Sequence, residues 1–404
     1  HPRRIVLNCL GHGGAERRGR AMRNVNGGGE RDAIARPETN RTTTMRKFWL
    51  TLPILALVVT ACGQPESAAD TAATSEAVSP SLEGDDPRIQ NLTQLTTGGT
   101  NAEAYFSSDG KQLIYQATRP GESRCDQIYI MNIDGSDKRR VSTGEGRTTC
   151  GYFFPSGDKI VYSSTHHIAP ECPTPPDRSR GYVWGLFPYD VFIANADGSG
   201  VRNLTNNPAY DAEATISTDG SKILFTSTRD DDIDIYVMDA DGSNVKRLTD
   251  EPGYDGGAFF SADGTKIVYR AHHPTDPDEL AEFRALLADG LVRPSRVEIF
   301  VMDADGSNKR QLTDNGAANF APFFHPDGKR IIFSSNMHDP TGRSFNLYMI
   351  NIDGTNLQRL TNHDGFDSFP MFSPDGKKLV FGSDRNATDE RYEINVFIAD
   401  WVEE

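Results

Sequence analysis

Positive charge is in short supply in this chain, where 42 Lys and Arg stand against 57 Asp and Glu. The deficit deepens beyond Cys62: 11 of the basic residues and 4 of the acids precede it, which leaves a net charge of about −22 for the rest. A surface that grips phosphate needs a basic patch, so nucleic acid is excluded as a partner, and so is an electrostatic hold on anionic lipid. Long apolar runs are missing too. The best candidate, Phe48 to Val59, is shorter than the ~20 residues that span a bilayer. Cysteine is sparse, with Cys125, Cys150 and Cys172 after Cys62. An odd number in an exported chain predicts one disulfide and one free thiol, with three pairings open. Neither Gly-x-Ser-x-Gly nor His-Glu-x-x-His occurs, which removes the nucleophile elbow and the helical zinc-protease site. No Ser/His/Asp, Cys/His or paired-carboxylate set can be assembled from spacing alone.

What the sequence has is a ruler. Asp-Gly-Ser or Asp-Gly-Thr recurs with glycines at Gly135, Gly198, Gly242, Gly306 and Gly354, and a second turn glycine follows each after 22 residues, at Gly157, Gly220, Gly264, Gly328 and Gly376. A spacing held without slippage marks a repeated supersecondary unit. In each unit a short apolar strand precedes the first turn (Phe153-Phe154, Phe323-Phe324), and a second follows it (Ile160-Val161-Tyr162, Ile331-Ile332-Phe333). A third runs into Asp-Gly-Ser (Ile235-Tyr236-Val237-Met238), and a short fourth ends in Leu-Thr (Leu248-Thr249). Consecutive rather than alternating apolar residues demand cover on both faces. The chain is therefore expected to be all-β, a six-bladed β-propeller of four-stranded blades. The last blade lacks a fourth strand, and a lone strand from Ile89 to Thr96 precedes the first. That strand is expected to close the ring and remove two unpaired sheet edges. Asp-x-Asp-Gly-Ser is read as a tight turn, since it lacks the glutamate of a calcium loop.

The phrases Phe372-Ser373-Pro374-Asp375-Gly376-Lys377, His325-Pro326-Asp327-Gly328-Lys329 and Ile235 through Ser243 resemble the repeats of TolB-type six-bladed propellers, over about Arg88 to Trp401. Similar repeats occur in the non-catalytic propellers of prolyl oligopeptidases and in oligogalacturonate lyases, so the resemblance implies a fold more than an activity. It implies either a non-enzymatic module that binds an envelope protein or polysaccharide, acting as a monomer without a cofactor, or a metal-dependent carbohydrate-active enzyme with a divalent transition metal. TolB itself places an α/β domain ahead of its propeller, whereas only a tail precedes the ring here.

That tail is about address. Residues 1–44 are glycine- and arginine-rich and are expected to be upstream extension. Residues 45–61 form a basic and then apolar signal, and Val59-Thr60-Ala61-Cys62 resembles a bacterial lipobox with Cys62 as the lipidated residue. Residues 62–87 read as a flexible tether and residues 88–404 as the propeller. Gly63 is not the aspartate associated with inner-membrane retention, so the periplasmic face of the outer membrane is expected, with the lipid anchor as the sole membrane contact.

Long insertions occur in two places only. From the first turn to Asp-Gly-Ser the count rises to 41 and 42 residues in blades two and four, which places both insertions between the second and third strands, on one rim. Variable loops on a rigid scaffold are where function gathers. In blade four, Asp276-Pro277-Asp278-Glu279 opens a predicted helix with Leu280, Phe283, Leu286 and Leu287 as its apolar face. In blade two, Tyr182 and Trp184 belong to an aromatic group that either lines a ligand pocket or packs on the blade. The ends of the second strands align Arg119, His166, Arg229, His273, Met337 and Arg385, with His167, His272 and His338 adjacent. Neutral imidazoles from several blades could converge on a metal. Alternatively, these residues cap strands and pair with Asp211, Asp255 and Asp367, placed in the loops between blades.

Overall fold

A computed structural model describes residues 83–119, 121–387 and 393–403. The signal, Cys62 and most of the tether lie outside the described residues. Six antiparallel four-stranded sheets form the ring. Blade one comprises Thr100–Phe106, Gln112–Thr118, Gln127–Asn132 and Arg139–Arg140. Blades two to five repeat the plan, beginning at Thr148, Asp211, Tyr254 and Asn319. Blade six takes Asp367–Phe372, Lys378–Ser383 and Asn395–Trp401 from the end of the chain and Ile89–Gln94 from its beginning. Ile89 lies opposite Trp401 and Gln94 opposite Phe397, so the closure expected from the sequence is present. The described contacts start ahead of that strand: Asp86 N donates to Leu360 O (2.7 Å) and Asn362 N to Asp85 Oδ1 (2.7 Å).

Each repeated residue has a physical task. Aromatics of the second and third strands lie directly opposite each other in every blade, stacked in five, as Tyr115–Tyr129 at 5.8 Å between ring centroids and Phe381–Phe397 at 6.2 Å, and tilted in blade four, Tyr269–Phe300 at 5.6 Å. Such cross-strand pairs stabilise a sheet beyond their area burial. The Leu-Thr threonine ties the fourth strand to the third: Thr249 Oγ1 donates to Asp234 Oδ1 (3.0 Å) and accepts from Ile235 N (2.9 Å). Thr205, Thr313 and Thr361 make the same pair of bonds. The Asp-Gly-Ser glycine is required twice over. Its φ is +87° at Gly198 and +91° at Gly242, and an added Cβ would come within 2.7 Å of Val141 O or 2.9 Å of Leu204 O, carbonyls of the preceding blade. The turn is thus also an inter-blade contact, which is why its spacing cannot drift.

Candidate ligand-binding rim

The polar column at the ends of the second strands caps the stacked aromatics. Arg119 lies over Tyr129 (4.3 Å to the ring centroid), Arg229 over Tyr236 (4.9 Å) and Arg385 over Phe381 (5.3 Å). His166 meets Phe192 at 4.3 Å, His273 meets Phe300 at 5.5 Å and His338 meets Tyr348 at 6.3 Å. Met337 occupies the column in blade five, and the neighbouring His338 supplies the ring contact. Cations and imidazoles on ring faces are favourable where water is partly excluded.

The partners of these caps lie on the first strands. Arg229 Nη2 bonds Asp211 Oδ2 (2.9 Å), His273 Nε2 meets both oxygens of Asp255 (3.1 Å), and Arg385 Nη2 bonds Asp367 Oδ2 (2.7 Å). Asp211, Asp255 and Asp367 were expected in inter-blade loops. Instead they open or nearly open the innermost strands, fully buried, where the second strand's end can reach back across one sheet. Arg385 also holds Asp85 (3.0 Å), which fastens the segment before the closing strand.

The histidines do not converge. His166 Nδ1 meets Ser164 Oγ (2.7 Å), His167 meets Asp190 (3.0 Å), His272 meets Glu279 (3.2 Å) and His338 meets Asn346 Nδ2 (2.9 Å). Each ring is used within its own blade or its insertion. Among the described residues no three His, Cys, Asp or Glu side chains are gathered as a metal would require.

The two insertions meet. Trp184–Gly185 of blade two pairs with Leu291–Val292 of blade four as a two-stranded sheet. Leu186 N donates to Gly290 O (2.7 Å), and Arg180 forms an ion pair with Asp289 (2.6 Å). The helix runs Pro277–Ala288, capped by Asp276, whose side chain accepts from Asp278 N and Glu279 N. Of its predicted apolar face, Leu286 is buried, while Phe283 and Leu287 pack half-buried on an apolar cluster that includes Val292. Trp184 is 5% exposed and joins that cluster, whereas Tyr182, which accepts the indole N–H (3.0 Å), is 42% exposed. The aromatic group therefore divides into one core residue and one surface residue. The disulfide is Cys125–Cys172, which bolts the blade-two insertion to blade one. Cys150 is buried and takes no part in that disulfide.

Sequence reasoning missed the axis. Each first strand carries a bulge with one residue at positive φ: Glu103, Cys150, Glu213, Gly257, Ala321 and Phe369. All six line one axial chamber, together with Arg270. Every one stands seven residues before its first-turn glycine, so the ruler already contained this ring. Only the bulge, which reverses the expected alternation of faces, conceals it. The Glu213 carboxylate accepts from Arg270, from Thr226 Oγ1 (2.9 Å) and from Gly257 N (2.9 Å). Trp184 lies 5.7 Å above the Arg270 guanidinium.

Burial shapes the electrostatics. It works against the charged His273 imidazolium, yet the hydrogen bond and charge of Asp255, with Glu251 beside them, outweigh it and hold the pKa above its usual value. Burial also lifts Asp255, against the opposing effect of His273. Asp234 is pushed up to about 7 by burial, with Arg247 and Thr249 opposing.

Comparison with known proteins places these features in context. Residues 188–281 match the model of the TolB beta propeller domain. An uncharacterized protein of Agrobacterium fabrum (strain C58) is 27% identical over 141 residues, which is 33% of this chain and 41% of its own length. The chain thus spans about two fifths of the length of this curated relative. The structure of a protein assigned as TolB from Agrobacterium tumefaciens matches with a TM-score of 0.50 at 19% identity, over 78% of this chain and 98% of that one. TolB from Acinetobacter baumannii matches with a TM-score of 0.48 at 18% identity, over 75% and 63%. Among the described residues no helix is long and apolar enough to cross a membrane.

Proposed function

We propose, for a chain that is a TolB-like six-bladed propeller, that it works as a non-enzymatic binding module. Its joined insertions engage an envelope protein or polymer. The observation that carries this is the contrast between the polar column and the insertions. Arginine and histidine side chains at the strand ends are occupied within their blades, while the blade-two insertion presents Ile168, 60% exposed, and Tyr182, 42% exposed, on the rim. Large apolar side chains held out by a bolted loop suit contact with another molecule better than chemistry. Lipidation at Cys62 would present that rim to the periplasm from the outer membrane, and the propeller would act as a monomer.

A photo-crosslinking amino acid placed in cells at Tyr182 or Ile168, and separately at Val245, 42% exposed beside an Asp-Gly-Ser turn on the other rim, tests the assignment. One discrete adduct at the first two positions and none at the third is the expected pattern. Adducts only at Val245 would place the binding face on the wrong side.

A further inference from the structure

We infer that the two joined insertions are the two leaves of a gate, and that parting them along their seam is the route from solvent to the axial chamber. The proposal stands on the construction of the chamber and does not depend on what the rim binds.

Two residues beyond the bulges, the first strands turn Tyr105, Tyr152, Phe259 and Phe323 toward one another. Tyr105 contacts Tyr152 at 5.6 Å and Phe259 at 5.5 Å, Tyr152 contacts Phe259 at 6.0 Å, and Phe259 contacts Phe323 at 5.4 Å. Rings from blades one, two, four and five thus close the chamber's floor, and all four belong to strands locked between neighbours. Glu103, Glu213, Arg270 and Cys150 line the same chamber as Tyr105 and Phe259.

The roof is built differently. Its residue in contact with the lining is Trp184, over Arg270 and paired with Val292; both, with the neighbouring Val183, are buried and carried by segments that belong to no blade. Trp184 and Cys150 belong to one apolar cluster, and Cys150 lines the chamber together with Arg270, over which Trp184 lies. Each leaf is rooted in a separate blade. The blade-two leaf is fixed at its outer end by Cys125–Cys172 and by Gly146 N donating to Pro170 O (2.8 Å). The blade-four leaf is fixed at the helix start by His272–Glu279, and it rejoins its blade through Arg296 at φ +63°. A non-glycine residue in that region marks a backbone position held there by its surroundings. Between the leaves lie two registered residue pairs, hydrogen bonds from Leu186 N to Gly290 O and from Arg293 Nη2 to Arg180 O (3.3 Å), and an ion pair, Arg180–Asp289, whose side chains are half exposed. That seam is far slighter than any contact between blades, and short two-residue pairings open locally before sheets do.

Cys150 reports the opening. The full chain is treated with a maleimide under native conditions, and modification of the Cys150 peptide is followed by mass spectrometry, with the remaining cysteines read separately. Asp289→Lys reverses the seam ion pair, and repulsion there is expected to speed labelling of Cys150 on the order of fivefold while the melting midpoint stays within a degree or two. Arg180→Asp combined with Asp289→Arg restores the pair with its sense reversed, and should return the slow rate. An unchanged rate in Asp289→Lys overturns the gate. So does a wild-type labelling rate that rises with denaturant as steeply as global unfolding, because the thiol would then be reached only when the ring comes apart.

Discussion

Thr96 Oγ1 donates to Asn395 Oδ1 at 3.1 Å and accepts from Val396 N at 2.9 Å, the same two bonds that Thr361 makes to Asn346 and Leu347 inside a continuous blade. The closing strand thus carries the full repeat chemistry although it comes from the other end of the chain. Replacing Thr96 with Val leaves the buried Val396 N–H without its acceptor and takes one of two donors from Asn395 Oδ1, which keeps Asn101 Nδ2 (3.2 Å). A loss of about 1–3 kcal/mol is expected, equal within error to that of Thr361→Val in denaturant unfolding. A cost well below that of Thr361→Val would mean that blade six is held more loosely than blade five.

Stability should fall as pH rises from about 6.5 to 9, whereas below that His166, His325 and His338, whose pKa values burial lowers, work against the fall. His273 and His363 have raised pKa values in the fold, His363 because Asp384 and Asp367 outweigh its burial. A raised group contributes stability that is fully present below its unfolded pKa and lost as pH climbs through the folded one. Asp234, raised to about 7, acts with the same sign between about 4 and 7. The carboxylates of the Asp-Gly-Ser turns are lowered instead, so their contribution is lost only in more acid solution. Melting midpoints across this range should show the fall, and His273→Gln should flatten its upper part. A midpoint that climbs toward pH 9 contradicts the assignment.

The cap of blade six should matter most. Arg385 is 6% exposed and serves both Asp367 and Asp85. Arg385→Met leaves two carboxylates without their cation, at a cost of about 3–5 kcal/mol. Arg119→Met, at a more exposed cap bonded to Tyr115 and Glu122, should cost under about 1 kcal/mol. Chemical denaturation of the two variants checks the order.

Metal analysis of protein purified without a histidine tag separates binding from metal-dependent catalysis. With the rim histidines committed to Ser164, Asp190, Glu279, Asp255 and Asn346, no stoichiometric zinc, manganese, iron or nickel is expected. One equivalent of metal that disappears in His273→Ala would require the binding assignment to be abandoned.

Targeting has its own test. Cys62→Ser should yield a protein that is not acylated and is recovered free of the outer membrane on fractionation. Continued acylation would remove the lipobox.

The ruler made the ring legible because all its glycines have positive φ, and those of Asp-Gly-Ser at Gly198, Gly242 and Gly306 are held also by a carbonyl of the preceding blade. The polar column could be aligned from sequence, yet the partners of Arg229, His273 and Arg385 stand on another strand at an unrelated offset, so capping and convergence read alike. Glu103, Cys150 and Glu213 were hidden by the bulge, since counting alternate residues along a regular strand assigns them to the wrong face. Trp184 and Val292 face each other across insertions that have no period, and no local signal pairs them. The disulfide was open for the same reason: Cys125 and Cys172 are brought together by the stacking of two blades.

Ring closure also imposes a schedule on biosynthesis. Ile89 emerges early, but its partner Trp401 is made about 300 residues later, which at 5–20 residues per second is roughly 15 to 60 seconds. Through that interval the first strand has no sheet to join, and each finished blade leaves its inner flank waiting for the next. A nascent chain exported as it is made would spend that time needing an escort. The strand that ends at Trp401 is the one that releases it.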